Sequence, residues 1–189
     1  SRHVHAASYF LMPELARALP DLLGTARAHG AGTSLDTNDD PIGRWDPVGI
    51  AAVLPVVDIL LPNAREALAL AGLDAGGAPE EAAQRLAAHG PLVVVKNGDE
   101  GAFAHDGHTL LRTPGIPAQP RDTVGAGDSF NAGYLAAILA GEPRDRALDI
   151  AAACGALSTA AHGGTPAQPT WDEALAALAA VTRNGKNQR

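Results

Sequence analysis

The sequence predicts an α/β fold built on a mostly parallel sheet with helices on both faces. Three observations carry this expectation. Short β-branched and aliphatic runs alternate with segments of helical periodicity through the first half of the chain. The run Leu92-Val93-Val94-Val95-Lys96 reads as a strand buried on both faces, as parallel strands are. The last third is helical and is broken only at glycine and proline clusters.

In order, His3-Val4-His5-Ala6-Ala7 reads as a first strand. Pro13 then opens a helix whose apolar residues Leu15, Leu19, Leu22 and Leu23 fall on one side, and which stops near Gly30. A short strand over 32–36 leads into the polar loop Thr37-Asn38-Asp39-Asp40-Pro41. Val56-Val57-Asp58-Ile59-Leu60-Leu61 is the next buried strand, closed by Pro62. Helical segments follow at 63–71 and 79–89, then the strand over 92–96. Residues 102–105 and 108–111 form a hairpin around Asp106-Gly107. Helices are expected over 127–139, 144–161 and 172–181, and the polar tail 183–189 is expected to fray. Right-handed crossovers between the parallel strands bring the connecting loops to the carboxyl edge of the sheet, where ligands collect in such folds.

With 189 residues the chain is one domain by length, and 46% hydrophobic against 19% charged residues marks a folded protein with a core. A net charge of -7 without a Lys/Arg cluster argues against a nucleic-acid partner. The single cysteine, Cys154, excludes an internal disulfide and suits a reducing cytoplasm. No apolar run reaches the length of a membrane span. The seven histidines show no metal-ligand spacing: His3 and His5 share a strand face, and His105 and His108 flank a turn. The chain begins at Ser1 and enters a strand at once, so a further N-terminal portion is expected.

The chemistry concentrates in Asp122-Thr123-Val124-Gly125-Ala126-Gly127-Asp128. Small residues at the mouth of a helix leave its first N–H groups unobstructed, and the positive end of the helix dipole adds to their pull on an anion. Asp128, in the first turn, would accept the proton of an attacking hydroxyl while Gly125, Ala126 and Gly127 hold phosphate beside it. The plainer alternative is an ordinary capped helix, with Asp128 complementing the dipole. A dinucleotide fingerprint would need glycine where Phe130 stands, and the Gly-Lys-Ser/Thr of a P-loop is absent.

The longer stretch from Asp122 through Ser129-Phe130-Asn131-Ala132-Gly133 resembles the C-terminal signature of the ribokinase (PfkB) family of carbohydrate kinases. The resemblance implies a three-layer α/β/α ribokinase-like sandwich, with Asp128 as catalytic base and Gly125-Ala126-Gly127 as anion hole. It also implies that Asn63 and Glu66, in Asn63-Ala64-Arg65-Glu66, act on nucleotide phosphates through magnesium-bound water. A capping box is the structural alternative for that pair. Lys96, Gly98 and Gly101 resemble the family's strand-loop beside the nucleotide; alone they would be a hairpin turn. Asp36-Thr37-Asn38 resembles an Asp-Pro-Asn loop that would bring Asn38 to the ligand, but Thr37 replaces the proline. Asp40 stands where an arginine is common, with Arg44 a nearby substitute. Asp122 and residues 158–163 match a monovalent-cation loop, which admits K⁺.

The resemblance thus implies a cytoplasmic ATP- and Mg²⁺-dependent kinase acting on a small sugar or sugar acid, with a homodimer admitted for the full-length protein. The chain would form a single, partial domain over 1–189 that lacks the N-terminal lid and substrate loop, and it would turn over little by itself. A nucleotide-binding regulatory module, an inactive remnant, and a vitamin-precursor or nucleoside kinase of the same fold remain as alternatives.

Overall fold

The computed structural model describes residues 1–186, with side chains described through residue 181. In chain order the elements are β1 (His3–Ala7), α1 (Pro13–Ala28), β2 (Gly32–Asp36), α2 (Pro47–Val53), β3 (Ile59–Leu60), α3 (Ala64–Leu70), α4 (Pro79–Ala87), β4 (Leu92–Lys96), β5 (Ala102–His105), β6 (Leu110–Thr113), α5 (Ala126–Ala140), α6 (Arg144–Ser158) and α7 (Trp171–Lys186). The strands form one sheet in the order β1-β2-β3-β4-β5-β6. The pairs β1–β2, β2–β3 and β3–β4 are parallel, with His3 opposite Gly32, Ser34 opposite Ile59, and Ile59 opposite Leu92. The turn between β4 and β5 is closed by the Asn97 N–H donating to Gly101 O at 2.9 Å, and that between β5 and β6 by Asp106 N–H donating to Thr109 O at 3.3 Å. Connections this short join only antiparallel neighbours, because a parallel pair needs a crossover of a dozen or more residues. The sheet is therefore mostly parallel with an antiparallel end.

The chain packs as two compact units, one of Ser1–Val95 with Ala104–Leu110, the other of Lys96–Phe103 with the chain from Leu111 onward. In the first, Leu19 and Leu23 of α1, Leu35 of β2, Leu60 of β3 and Val93 of β4 are fully buried. Leu22, expected on the same side as Leu19, is exposed. In the second, α5 and α6 supply the core through Tyr134, Ala137, Leu148, Ile150 and Ala153. These helices run close together: a Cβ at Gly133 would stand 2.8 Å from Cys154 Sγ and 3.2 Å from Ala151 Cα.

Several boundaries differ from the sequence expectation. The run 56–61 yields strand only at Ile59–Leu60, because Leu54–Val56, with Pro55 inside, closes into a 3-10 turn. α2 is unforeseen, although Pro47 at its first turn and the Asp46 side chain, which accepts the Gly49 N–H at 3.2 Å, are a helix-start signal. β6 starts at Leu110 rather than His108 because Asp106 Oδ1 draws the His108 and Thr109 N–H groups, at 3.1 and 2.8 Å, into the turn. α7 continues past Val181 to Lys186, and residues 187–189 of the expected tail lie outside the described residues. Among the described residues no helix is long and apolar enough to cross a membrane.

Candidate functional site

In the second unit, the segment before α5 folds around the Asp122 carboxylate. Its Oδ1 accepts the Val124 N–H at 3.0 Å and its Oδ2 the Gly163 N–H at 2.8 Å. Thr159 O accepts from Arg121 and Asp122 N–H at 2.8 and 3.3 Å, so the loops on either side are laced backbone to backbone. Hydrogen bonds from Val124 and Gly163 N–H hold the Asp122 carboxyl below its usual 3.8.

Gly125 caps α5 with a left-handed φ of 76°. Any side chain there would be strained by that angle and would fall 2.7 Å from Gly164 O. In the first turn Ala126 N–H donates to Thr123 O at 3.2 Å and Ser129 N–H to Gly125 O at 2.9 Å. Between them, the N–H groups of Gly127 and Asp128 lie where a helix has no backbone acceptor to offer. Asp128 is exposed in this same turn. Lys96, the last residue of β4, extends over Gly127: its Nζ would be 3.7 Å from a Cβ there. Its ammonium donates to Asn131 Oδ1 at 3.3 Å. A cation held beside the positive end of a helix makes a local field suited to a multiply charged anion.

The two glycines expected at the nucleotide divide. Gly98, at φ 61°, has nothing within 4 Å of a built Cβ and stays open. Gly101, at φ 98°, is buried, and a Cβ there would fall on the backbone of Thr113, Pro114 and Gly115. The close approach that Gly101 permits is to the protein's own chain.

In the first unit, Asn63 and Glu66 form a complete capping box on α3. Asn63 Oδ1 accepts the Glu66 N–H at 2.9 Å, and Glu66 Oε2 accepts the Asn63 N–H at 2.8 Å. Glu66 is nonetheless a wall of a cleft of about 410 Å³, with Ser8, Leu11, Asn38, Asp39 and Pro41. Asn38 is left-handed at φ 53°; its N–H donates to Asp36 Oδ1 at 3.0 Å, and its Oδ1 accepts the Ser8 N–H at 2.8 Å. Asp40 is buried and anchors the loop internally, accepting N–H bonds from Ile42 at 2.9 Å and from Arg44 and Trp45 at 2.7 Å. The acid standing where arginine was expected is thus a loop anchor. Arg44 lines a second cleft, of about 570 Å³, with Arg17 and Tyr9, and is not among the residues around Asn38.

The Glu66 carboxylate at the cleft wall suits a hard Mg²⁺ ion reached through water, while Asn63, its partner in the capping box, gives its Oδ1 to the Glu66 N–H and is not among the residues lining that cleft. Asp122 is different: both its oxygens accept backbone N–H groups, so what it supplies is a clasp between loops. Of the histidines, His3 Nε2 and His5 Nδ1 each lie 2.7 Å from Ser34 Oγ. Sequence reasoning quoted Asn131 in the α5 motif but gave it no role. The signal in the sequence was an amide three residues after Asp128, hence on the same side of the helix; the structure buries it to 3% exposure.

The sequence profile described as pfkB family carbohydrate kinase matches residues 2–171. The chain belongs to the pfkB family. Among this family member's relatives, the 2-dehydro-3-deoxygalactonokinase of Haloferax volcanii is 34% identical over 148 residues, covering 76% of this chain and 46% of the relative. The ATP-dependent ribose-1-phosphate kinase of Halopiger xanaduensis is 34% identical over 176 residues, covering 93% of this chain and 54% of the relative. Among solved structures, Arabidopsis thaliana ribokinase complexed with ribose and ATP superposes with a TM-score of 0.77 at 27% identity, over 86% of this chain and 52% of that one. This pfkB chain therefore has the ribokinase-like α/β fold that the sequence predicted, and it spans about half the length of the curated relatives it matches.

Proposed function

We propose that this chain supplies the phosphate-binding and proton-accepting part of a kinase domain that transfers the γ-phosphoryl group of ATP to a hydroxyl of a small sugar or sugar acid. The observation that carries the reading is the α5 entrance, where the Gly127 and Asp128 amides, the Lys96 ammonium over Gly127, and the exposed Asp128 carboxylate share one helical turn. Asp128 accepts the proton of the acceptor hydroxyl as its oxygen attacks the γ-phosphorus, the bond from phosphorus to the β–γ bridging oxygen breaks, and ADP leaves. The amides and Lys96 stabilise the charge spread over the transferring group, where preorganised donors act without reorganising. Mg²⁺, when bound, neutralises the nucleotide phosphates; Glu66 would hold it through water, its helical turn capped by Asn63. Gly98 leaves room for the nucleotide, Gly101 shapes the loop that carries it, and Asn38 faces the cleft shared with Glu66.

The acceptor class rests on the relatives, whose names specify a sugar acid and a sugar phosphate. The net charge of -7 and single cysteine support small-molecule partners in a cytoplasmic setting. The test is Asp128→Asn in the protein carrying this chain, assayed for ADP release over a panel of sugars and sugar acids. Turnover is expected to fall by about 10²–10⁴-fold, while the MgATP dissociation constant stays within about threefold because phosphate binding uses other atoms. Unchanged turnover removes Asp128 from the mechanism.

A further inference from the structure

The contact that the reaction scheme leaves unassigned lies behind the lysine. A lysine ammonium is a strongly hydrated point charge on a flexible four-carbon stem, with rotamer entropy to lose when fixed. The start of a helix repels it, since both are positive. Left to itself, the Lys96 side chain would turn away from Gly127 into water. Instead its Nζ sits on Asn131 Oδ1 at 3.3 Å and 3.7 Å from the Cβ position of Gly127. Asn131 is well suited to hold it there. It is 3% exposed, on the rigid helix α5, and one turn after Asp128, so its amide is fixed by the same element that carries the proton acceptor. It is also uncharged. A carboxylate at this position would pair with the ammonium and oppose an incoming phosphate, whereas an amide oxygen orients the lysine without adding a negative charge.

We propose that Asn131 is a positioning residue that holds the Lys96 ammonium over the α5 entrance, so that an entering phosphate meets a cation already in place. This rests on the reading of that entrance as a phosphate site.

The experiment is a double-mutant cycle of Lys96→Met and Asn131→Leu in the full chain. MgATP is titrated in and binding is followed by ³¹P NMR, which reads millimolar as well as micromolar affinities. Lys96→Met is expected to weaken MgATP binding about tenfold, as loss of a hydrogen bond from a charged group does. Asn131→Leu alone should weaken it by about threefold to tenfold, and the double variant should bind no more weakly than Lys96→Met, because residues acting through one another are not additive. Losses that multiply in the double variant overturn the proposal, since Asn131 would then act independently of Lys96. Thermal melts accompany each titration, and Asn131→Ser carries the cycle if the leucine variant does not fold. A wild-type chain that takes up no MgATP overturns the phosphate reading itself and this inference with it; a wild-type chain that binds, with multiplying losses, overturns the inference alone.

Discussion

Asp122 Oδ2 accepts the Gly163 N–H at 2.8 Å, tying the loop that opens α5 to a glycine 41 residues further along the chain. The same carboxylate takes the Val124 N–H, and these bonds hold it below its usual 3.8. In the unfolded chain the carboxyl takes up its proton near 3.8, and in the folded loop only at lower pH. Between those values the unfolded state binds more protons, so the stabilisation is present above 3.8 and is lost as pH falls through the folded value. Asp122→Ala should therefore melt at a lower temperature than wild type at neutral pH, with the gap closing in the acid range below 3.8. Parallel melts from neutral to strongly acidic solution check this. A gap independent of pH would mean that the carboxylate is not what fastens the two loops.

The capping box separates two functions of one pair. Asn63→Ala removes the acceptor for the Glu66 N–H and should cost about 1 kcal/mol by chemical denaturation, the usual value of a helix cap. Glu66→Gln keeps a side-chain oxygen for the Asn63 N–H but loses the charge at the cleft wall. It should stay near wild-type stability while the Mg²⁺-dependent part of nucleotide affinity falls. If Glu66→Gln affects stability and leaves Mg²⁺-dependent binding untouched, the pair is only a cap.

The contrast between these residues and others shows what a linear reading can reach. The expected bounds of β1, β2 and β4 agree with the structure to the residue: β4 is a continuous aliphatic run with one pleated solution in a covered sheet, and β1 and β2 are short segments bracketed by helix and turn signals. The α5 entrance was legible for the same local reason: glycine at a left-handed cap and unencumbered amides in the next turn are properties of consecutive residues. Long-range packing was not legible. Nothing in the sequence says that Gly101 meets the backbone of residues 113–115, that Asp40 is consumed by its own loop, or that Asn131 meets Lys96 across 35 positions. α2 was missed although its start signal was present, because the polar loop before it and Gly49 within it masked a helix of only 7 residues.

Tyr134 tests the cost of an orphan polar group. Its side chain is fully buried in α5, its hydroxyl has no hydrogen-bond partner among the described residues, and burial pushes its pKa up to about 12. A hydroxyl desolvated without compensation is unfavourable. Tyr134→Phe should consequently unfold at a higher urea concentration, by about 1 kcal/mol, with MgATP affinity unchanged. A loss of stability would show that the hydroxyl has a partner.

Two glycines of the α5 segment should respond differently to the same methyl group. Gly125→Ala puts a Cβ on a residue at φ 76° and within 2.7 Å of Gly164 O, so it adds about 1–2 kcal/mol of left-handed strain and pushes back the loop held by Asp122. Gly133→Ala keeps an ordinary helical backbone but drives a Cβ to 2.8 Å from Cys154 Sγ, an overpacked contact that costs about 1–3 kcal/mol. Both variants should be less stable, yet only Gly125→Ala should weaken MgATP binding, because only it disturbs the turn that presents the amides. The Gly133 defect is partly curable: Cys154→Ala removes Sγ but leaves Cys154 Cβ at 3.0 Å and Ala151 Cα at 3.2 Å, so the Gly133→Ala/Cys154→Ala chain should recover part of the lost stability. No second substitution of that kind exists for Gly125, whose neighbour is the Gly164 backbone. Denaturation curves and MgATP titrations on the four chains decide the matter. Equal loss of binding in Gly125→Ala and Gly133→Ala would mean that affinity follows global stability rather than the geometry of the helix entrance.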